Sequence, residues 1–155
     1  MDWFARRFVK ASLVWLSVGA TIGLAMAVRP SLAVYRPAHQ HAMLLGFVTM
    51  MIYGVAYHVL PRFAGSRLRS RTLAGVHWWT ANPGLAAMII GFVLRVSPKI
   101  PVAAGTAALA VGGLLSAGGA FVFAWNMWQT VHAAPLTIVG RAVATARRAD
   151  PSLRS

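Results

Sequence analysis

Cysteine is absent from the 155 residues of this chain. That excludes disulfides, thiolate metal sites and cysteine-linked prosthetic groups. Acid is nearly absent too, with Asp2 and Asp150 set against fifteen Lys and Arg. No acid falls inside an apolar run, and no Ser/His/Asp set or phosphate loop is visible, so nothing here supports hydrolytic or group-transfer chemistry. Charge of either sign is scarce, at 11% of residues against about a quarter in soluble domains. The basic stretches lack the interleaved polar and aromatic residues of a nucleic-acid surface, so no nucleic acid is expected as a partner. No internal repeat is present, and no linker is long enough to separate domains, so residues 1–155 form one transmembrane unit.

What the chain does have is apolar length. Hydrophobic residues make up 58% of it, arranged in four runs near the ~20 residues a bilayer requires. The runs cover about 11–28, 38–60, 76–96 and 102–131. They predict an all-α, multi-pass, four-helix membrane bundle with the lipid bilayer as its surroundings. Prolines 30, 37, 61, 98, 101 and 135 fall at or outside the ends of these runs, where a missing N–H costs least. Pro83 lies inside the third run and predicts a kink. The +13 net charge fits basic residues that flank spans and meet anionic headgroups.

Counting bases sets the expected orientation. The N-terminus (Arg6, Arg7, Lys10), the second connection (Arg62, Arg67, Arg69, Arg71) and the tail (Arg141, Arg147, Arg148, Arg154) carry eleven. The other two connections carry four: Arg29, Arg36, Arg95 and Lys99. The positive-inside rule then puts both termini in the cytoplasm. The first run admits a second reading, because "ARRFVK", an apolar core and "AMA" at 25–27 resemble a secretory signal with its cleavage site. The core is long for a signal, and Gly19 and Gly23 form a GxxxG pair suited to helix contact, so we expect retention as a helix.

Small residues are the expected means of helix association, since lipid supplies no hydrophobic drive between helices. Ala108, Gly112, Ser116, Ala120 and Ala124 line up along the fourth run. On the second, Gly46, Met50, Gly54 and His58 follow at steps of four, with His39 seven residues before Gly46, near one face of a helix. Glycines on a histidine-bearing face leave room either for a neighbouring helix or for something flat.

The histidines are the candidate ligands. His39 and His58 are nineteen residues apart, about 28 Å along a helix, and cannot share one metal. His39 and His41 point to nearly opposite sides of a helix. His58, His77 and His132 are expected at similar depth near the inner face, where a bis-histidine or small metal site would need them to converge. No acid is at hand to orient these imidazoles.

The segment "YRPAHQHAMLLGFVTMMIYGVAYHVLPRF", residues 35–63, resembles the second transmembrane helix of haem–copper oxidase subunit I. The C-type oxidases and nitric oxide reductases are the nearest in kind. There an R-x-x-H motif opens the helix and its histidine ligates the low-spin haem; Arg36 and His39 match it. "HxHxMLLGF" also resembles the NnrS family of haem-containing membrane proteins linked to nitric oxide tolerance. "FAWNMWQT" is similar, less specifically, to an oxidase fourth helix.

The resemblance implies haem b, held by His39 as axial ligand near the outer face. Met26, which ends the first run at about the depth of His39, or a histidine from a second copy would complete the iron, while His41 would instead serve a second haem face. It also implies a place in a bacterial inner membrane, as a homo-oligomer or a subunit of a larger respiratory complex. In the oxidases the remaining haem and copper ligands come from later helices, so a complete oxygen- or nitric-oxide-reducing centre is not expected in these four spans. His41 and His58 have no clear oxidase counterparts. If a second cofactor exists, His58 is its first candidate, with His77 or His132. Three functions remain open: a small haem b protein in electron transfer or gas sensing; an accessory or assembly subunit holding haem or copper transiently or not at all; and a structural bundle retaining the motif.

Overall fold

The computed structural model describes residues 2–133. The four tail arginines, Pro135 and Asp150 lie outside the described residues. Among these residues every regular element is helical. Helix α1 is Trp3–Val28. Helix α2 is the composite run Pro30–Phe63, and α3 (Arg71–Arg95) and α4 (Val102–Val131) follow. α1, α2 and α4 are long and apolar enough to cross a membrane. α3 is as long, with 25 residues, but its N-terminal half carries His77, Thr80, Asn82 and Pro83. Those polar groups are turned inward, where a bundle can satisfy them: His77 is fully buried, and Asn82 Oδ1 accepts from Trp15 Nε1 at 2.9 Å.

α1 starts at Trp3 rather than near Ala11. Its first turns are amphipathic: Phe4, Ala5, Phe8 and Ser12 are buried while Arg6, Arg7 and Lys10 are exposed, a 3.6-residue alternation that an average over apolar length passes over. α2 has three kinds of turn in succession. A 3₁₀ segment Pro30–Tyr35 leads into α-helical Arg36–His41, then π-helical Ala42–Thr49, then α-helical Met50–Phe63. Thr49 Oγ1 donates to Leu44 O, five residues back, at 2.8 Å, the spacing of a π turn.

The second run does not stop at Pro61, which lies buried inside the helix. The proline removes the bond its N–H would have made to Tyr57 O and crowds that carbonyl, and the helix ends two residues later. The close is a Schellman turn: Gly65 takes φ 59°, its N–H donates to Arg62 O, and Ser66 N–H donates to Pro61 O.

α4 lies along α3 on a glycine seam. A Cβ built on Gly112 would stand 2.6 Å from Gly84 O and from Met88 N, and one on Gly105 would stand 2.7 Å from Arg95 N. Of the small residues expected along α4, Gly112 and Ser116 are on this seam; Gly105 and Gly119 complete it in place of Ala108, Ala120 and Ala124. Gly105, Gly112 and Gly119 recur at seven, because helices running nearly side by side meet at a 3.5-residue repeat rather than at steps of four.

The glycines of α2 are filled by a neighbouring helix. Gly46 receives Trp15, whose Cβ is 2.5 Å from a built Cβ, and Gly54 receives Val9 and the Ala5 carbonyl. The flat-cofactor reading of that face is thereby displaced by α1. The core gathers at the end holding the α1 N-terminus: Phe4, Phe8, Met50, Tyr57 and Leu85 are all at most 2% exposed.

Candidate functional site

The RPAH stretch opens the α-helical part of α2, with Pro37 in its first turn, where a ring with fixed φ and no N–H is well placed. His39 is partly exposed and leans on α1. Its Nδ1 lies 2.8 Å from Gly19 O. A carbonyl only accepts, so Nδ1 carries the proton and donates. In the neutral ring that leaves Nε2 as an unprotonated lone pair, the state required of a metal-ligating imidazole. Gly23 makes the approach possible: a Cβ there would stand 2.9 Å from His39 Cε1. The GxxxG pair therefore seats His39 at Gly23 and Met43 at Gly19, whose built Cβ meets Met43 Sδ at 2.5 Å.

His41 faces the other way, as its spacing from His39 predicts. Its ring packs on Phe92 of α3 with centroids 4.9 Å apart, and its Nδ1 donates to Pro37 O at 2.8 Å. Met26 lies one turn beyond Gly23 and lines an apolar cavity of about 280 Å³ with Ala25, Tyr35 and Ala38. The ring of His39 sits over Gly23, outside that lining.

The three inner-end histidines are not brought together. His58 Nδ1 accepts from Arg62 Nη1 at 3.0 Å, and the same guanidinium donates to the His58 carbonyl; Nδ1 is thus occupied as an acceptor. His132 is exposed, stacked on Trp128 at 4.4 Å, with Nδ1 donating to Trp128 O at 2.9 Å. His77 is buried among Phe8, Tyr53 and Phe123, with centroids 4.7, 4.4 and 5.4 Å away. Its Nδ1 shares a hydrogen bond with Tyr57 Oη at 3.0 Å, and its Nε2 has no protein partner. The shared depth expected from sequence does not hold for all three: His77 packs beside Phe123 and Gly119, about two and a half turns of α4 short of His132, and each ring is turned to a different local partner. Among the described residues no group of three or more His, Cys, Asp or Glu could hold a metal.

Sequence reasoning did not reach the polar clamp at this end. Asn126, fully buried on α4, accepts from Ser70 N–H at 3.0 Å and donates to Ser70 O at 2.8 Å. Thr130 accepts from Arg69 N–H through Oγ1 at 3.0 Å, and its carbonyl accepts from Ser66 Oγ at 2.8 Å. The signal available was a lone Asn inside an apolar span, which needs a partner. Gly19 O as the anchor of His39 carried no signal at all, because every residue has a carbonyl.

No protein-family model matches the chain. It is 27% identical over 158 residues to the Cbb3-type cytochrome c oxidase subunit CcoN1 of Stutzerimonas stutzeri, covering 83% of this chain and 33% of that protein. It is 30% identical over 124 residues to cytochrome c oxidase subunit 1 of Rhodobacter capsulatus, covering 64% of this chain and 23% of that one. The fold matches a haem–copper terminal oxidase dimer solved by cryo-EM with a TM-score of 0.66 at 19% identity, over 84% of this chain and 27% of that one. The chain thus spans a third or less of the length of these relatives. It is similar, in sequence and fold, to part of haem–copper oxidase subunit I.

Proposed function

We propose that this chain is a haem b-binding membrane protein, built on a portion of the oxidase subunit I fold, with His39 as an axial ligand. One observation carries the reading: Nδ1–H of His39 donates to Gly19 O at 2.8 Å. That bond fixes the tautomer, orients the ring and raises the basicity of Nε2, the second-shell arrangement of metal-bound histidines. Haem b, when bound, supplies a one-electron couple and, where one axial position is open, a site for a diatomic gas. The chain's own part is to brace the imidazole on α1 through Nδ1, which in the neutral ring leaves Nε2 free. The apolar length of α1, α2 and α4 keeps the site at membrane depth.

For the other axial position, Met26 and a histidine from a second copy are the two donors this reading admits. A redox or gas-handling role in a bacterial inner membrane, alone or within a larger respiratory complex, follows from this ligation. The test is a pyridine haemochrome spectrum of the purified full chain, with iron and copper quantified. A haem b spectrum with iron near one per chain, or per pair of chains, is the expected result. A reduced α-band indifferent to carbon monoxide means two protein ligands, whereas a shifted Soret band means an open position. A chain made with haem in good supply that purifies colourless and iron-free overturns the proposal.

The same reading places both termini in the cytoplasm, from the eleven-to-four division of bases. An activity reporter fused after residue 70 is expected to read as cytoplasmic, and one after Lys99 as periplasmic. The reverse pattern would invert the topology and move His39 to the inner face.

A further inference from the structure

At the end of the bundle away from His39, a cavity of about 510 Å³ opens between the start of α1 and the α2–α3 connection. Its walls are Tyr57, Pro61 and Leu68, and its rim is Arg62, Arg67, Arg71 and Asp2. Three guanidinium groups there face one carboxylate, and Asp2 is the only acid among the described residues. The oxidase likeness and the haem proposal make no use of this site.

We infer that this cavity binds a phosphate group, presented by an anionic phospholipid of the adjoining leaflet. Guanidinium forks match phosphate oxygens in geometry and charge. The backbone that displays Arg67 and leads to Arg71 is also held in place before any ligand arrives. The Schellman turn at Gly65 reverses the chain, and the Asn126 and Thr130 clamp fixes residues 66–70 to α4. Arg67 is thus displayed on a fastened loop and Arg71 at the start of α3, so little backbone ordering is left to oppose binding. Arg62 is turned back on His58, which leaves Arg67 and Arg71 as the principal donors.

Arg71 is already engaged by an anion of the chain's own. Asp2 Oδ1 lies 2.9 Å from Arg71 Nη2, with side chains 41% and 68% exposed. A pair so open to water is held weakly, and its carboxylate occupies a fork that a phosphate would take. Asp2 therefore acts as a built-in competitor. Two exposed apolar side chains flank the rim, Trp3 beside Asp2 at 43% and Phe63 beside Arg62 at 85%. Tryptophan is enriched at the headgroup boundary, and apolar side chains beside the rim favour a lipid over a free ion as the source of the phosphate. A basic pocket between helices on the cytoplasmic side is a known form of headgroup recognition.

The experiment is native mass spectrometry of the full chain released from mixed micelles of phosphatidylglycerol and phosphatidylcholine. Phosphatidylglycerol is expected to be retained about tenfold over phosphatidylcholine, as the loss of one or two charge-assisted contacts would imply. Arg67→Gln with Arg71→Gln should abolish that preference, and Asp2→Asn should increase it. Arg29→Gln, at the opposite end, should leave it unchanged and so separates a site from general charge attraction. Inorganic phosphate serves as the second arm: retention of phosphate but not of phosphatidylglycerol, lost in the double variant, keeps the site and makes its source soluble. Circular dichroism checks that each variant is folded. Equal retention of both lipids, with no phosphate binding sensitive to Arg67 and Arg71, overturns the inference.

Discussion

Replacing His39 with alanine is expected to strip the bound haem from the purified chain, while His58→Ala leaves haem content and spectrum unchanged. The difference lies in the protonation each ring is held to. His39 donates through Nδ1 to Gly19 O and keeps an Nε2 lone pair. His58 accepts at Nδ1 from a guanidinium, so in the neutral ring its proton sits on Nε2. Gly23→Leu is expected to act through His39 without touching the ligand itself. A Cβ at that position comes within 2.9 Å of His39 Cε1, so the ring must shift off its anchor. Loss of an outer-shell partner typically weakens metal binding by about 10–100-fold, and haem retention during dilution should fall in that range. Haem content per chain, read from the haemochrome, measures all three variants. An unchanged spectrum in His39→Ala removes the axial-ligand assignment.

Gly112→Leu is expected to separate α3 from α4, with a loss of stability on the order of 3 kcal/mol, at the upper end of overpacking costs. The obstacle is backbone rather than side chain: Gly84 O and Met88 N each stand 2.6 Å from a built Cβ. No rotamer change relieves such a contact, so the helices must move apart along a seam that also includes Gly91 and Gly105. In lipid, close packing of this kind is the main attraction between helices, and lengthening it by one side chain forfeits contacts on both sides. Gly113→Leu supplies the control. It lies next door on the same helix, and a Cβ there meets nothing within 4 Å. Its midpoint should stay level or rise slightly, since leucine exceeds glycine in helix propensity by up to about 1 kcal/mol. Thermal unfolding followed by circular dichroism in one detergent separates them. Equal midpoints for the two variants would show that the seam does not hold the pair together.

The membrane class, the number of helices and the candidacy of His39 were legible in the chain because each depends on local quantities. Apolar run length is measured against a bilayer of fixed thickness, and a motif is read in consecutive residues. The N-terminal extension of α1 to Trp3 and the passage of α2 through Pro61 were less so. The first depends on what another helix offers, since Tyr57 lies edge-on to Phe4 at 5.2 Å and packs over Phe8 at 6.0 Å; the second depends on the turn after the helix, where Ser66 N–H takes up the Pro61 carbonyl.

The candidate site divides in the same way. That His39 is a potential ligand could be read from R-x-x-H. Which of its nitrogens is free could not, because Gly19 O lies twenty residues away on another helix. The histidines His58, His77 and His132 were expected at one depth, yet His77 packs beside Phe123, about two and a half turns of α4 from His132. Their rotation about the helix axes was decided by packing, which turned one to Arg62, buried one beside Tyr57 and stacked one on Trp128. The glycines of α2 behaved alike: the sequence determined that a groove would exist, and only the tertiary structure decided that Trp15 and Val9 would fill it. A missing side chain is a local fact, whereas its occupant is whichever surface the whole bundle brings within contact.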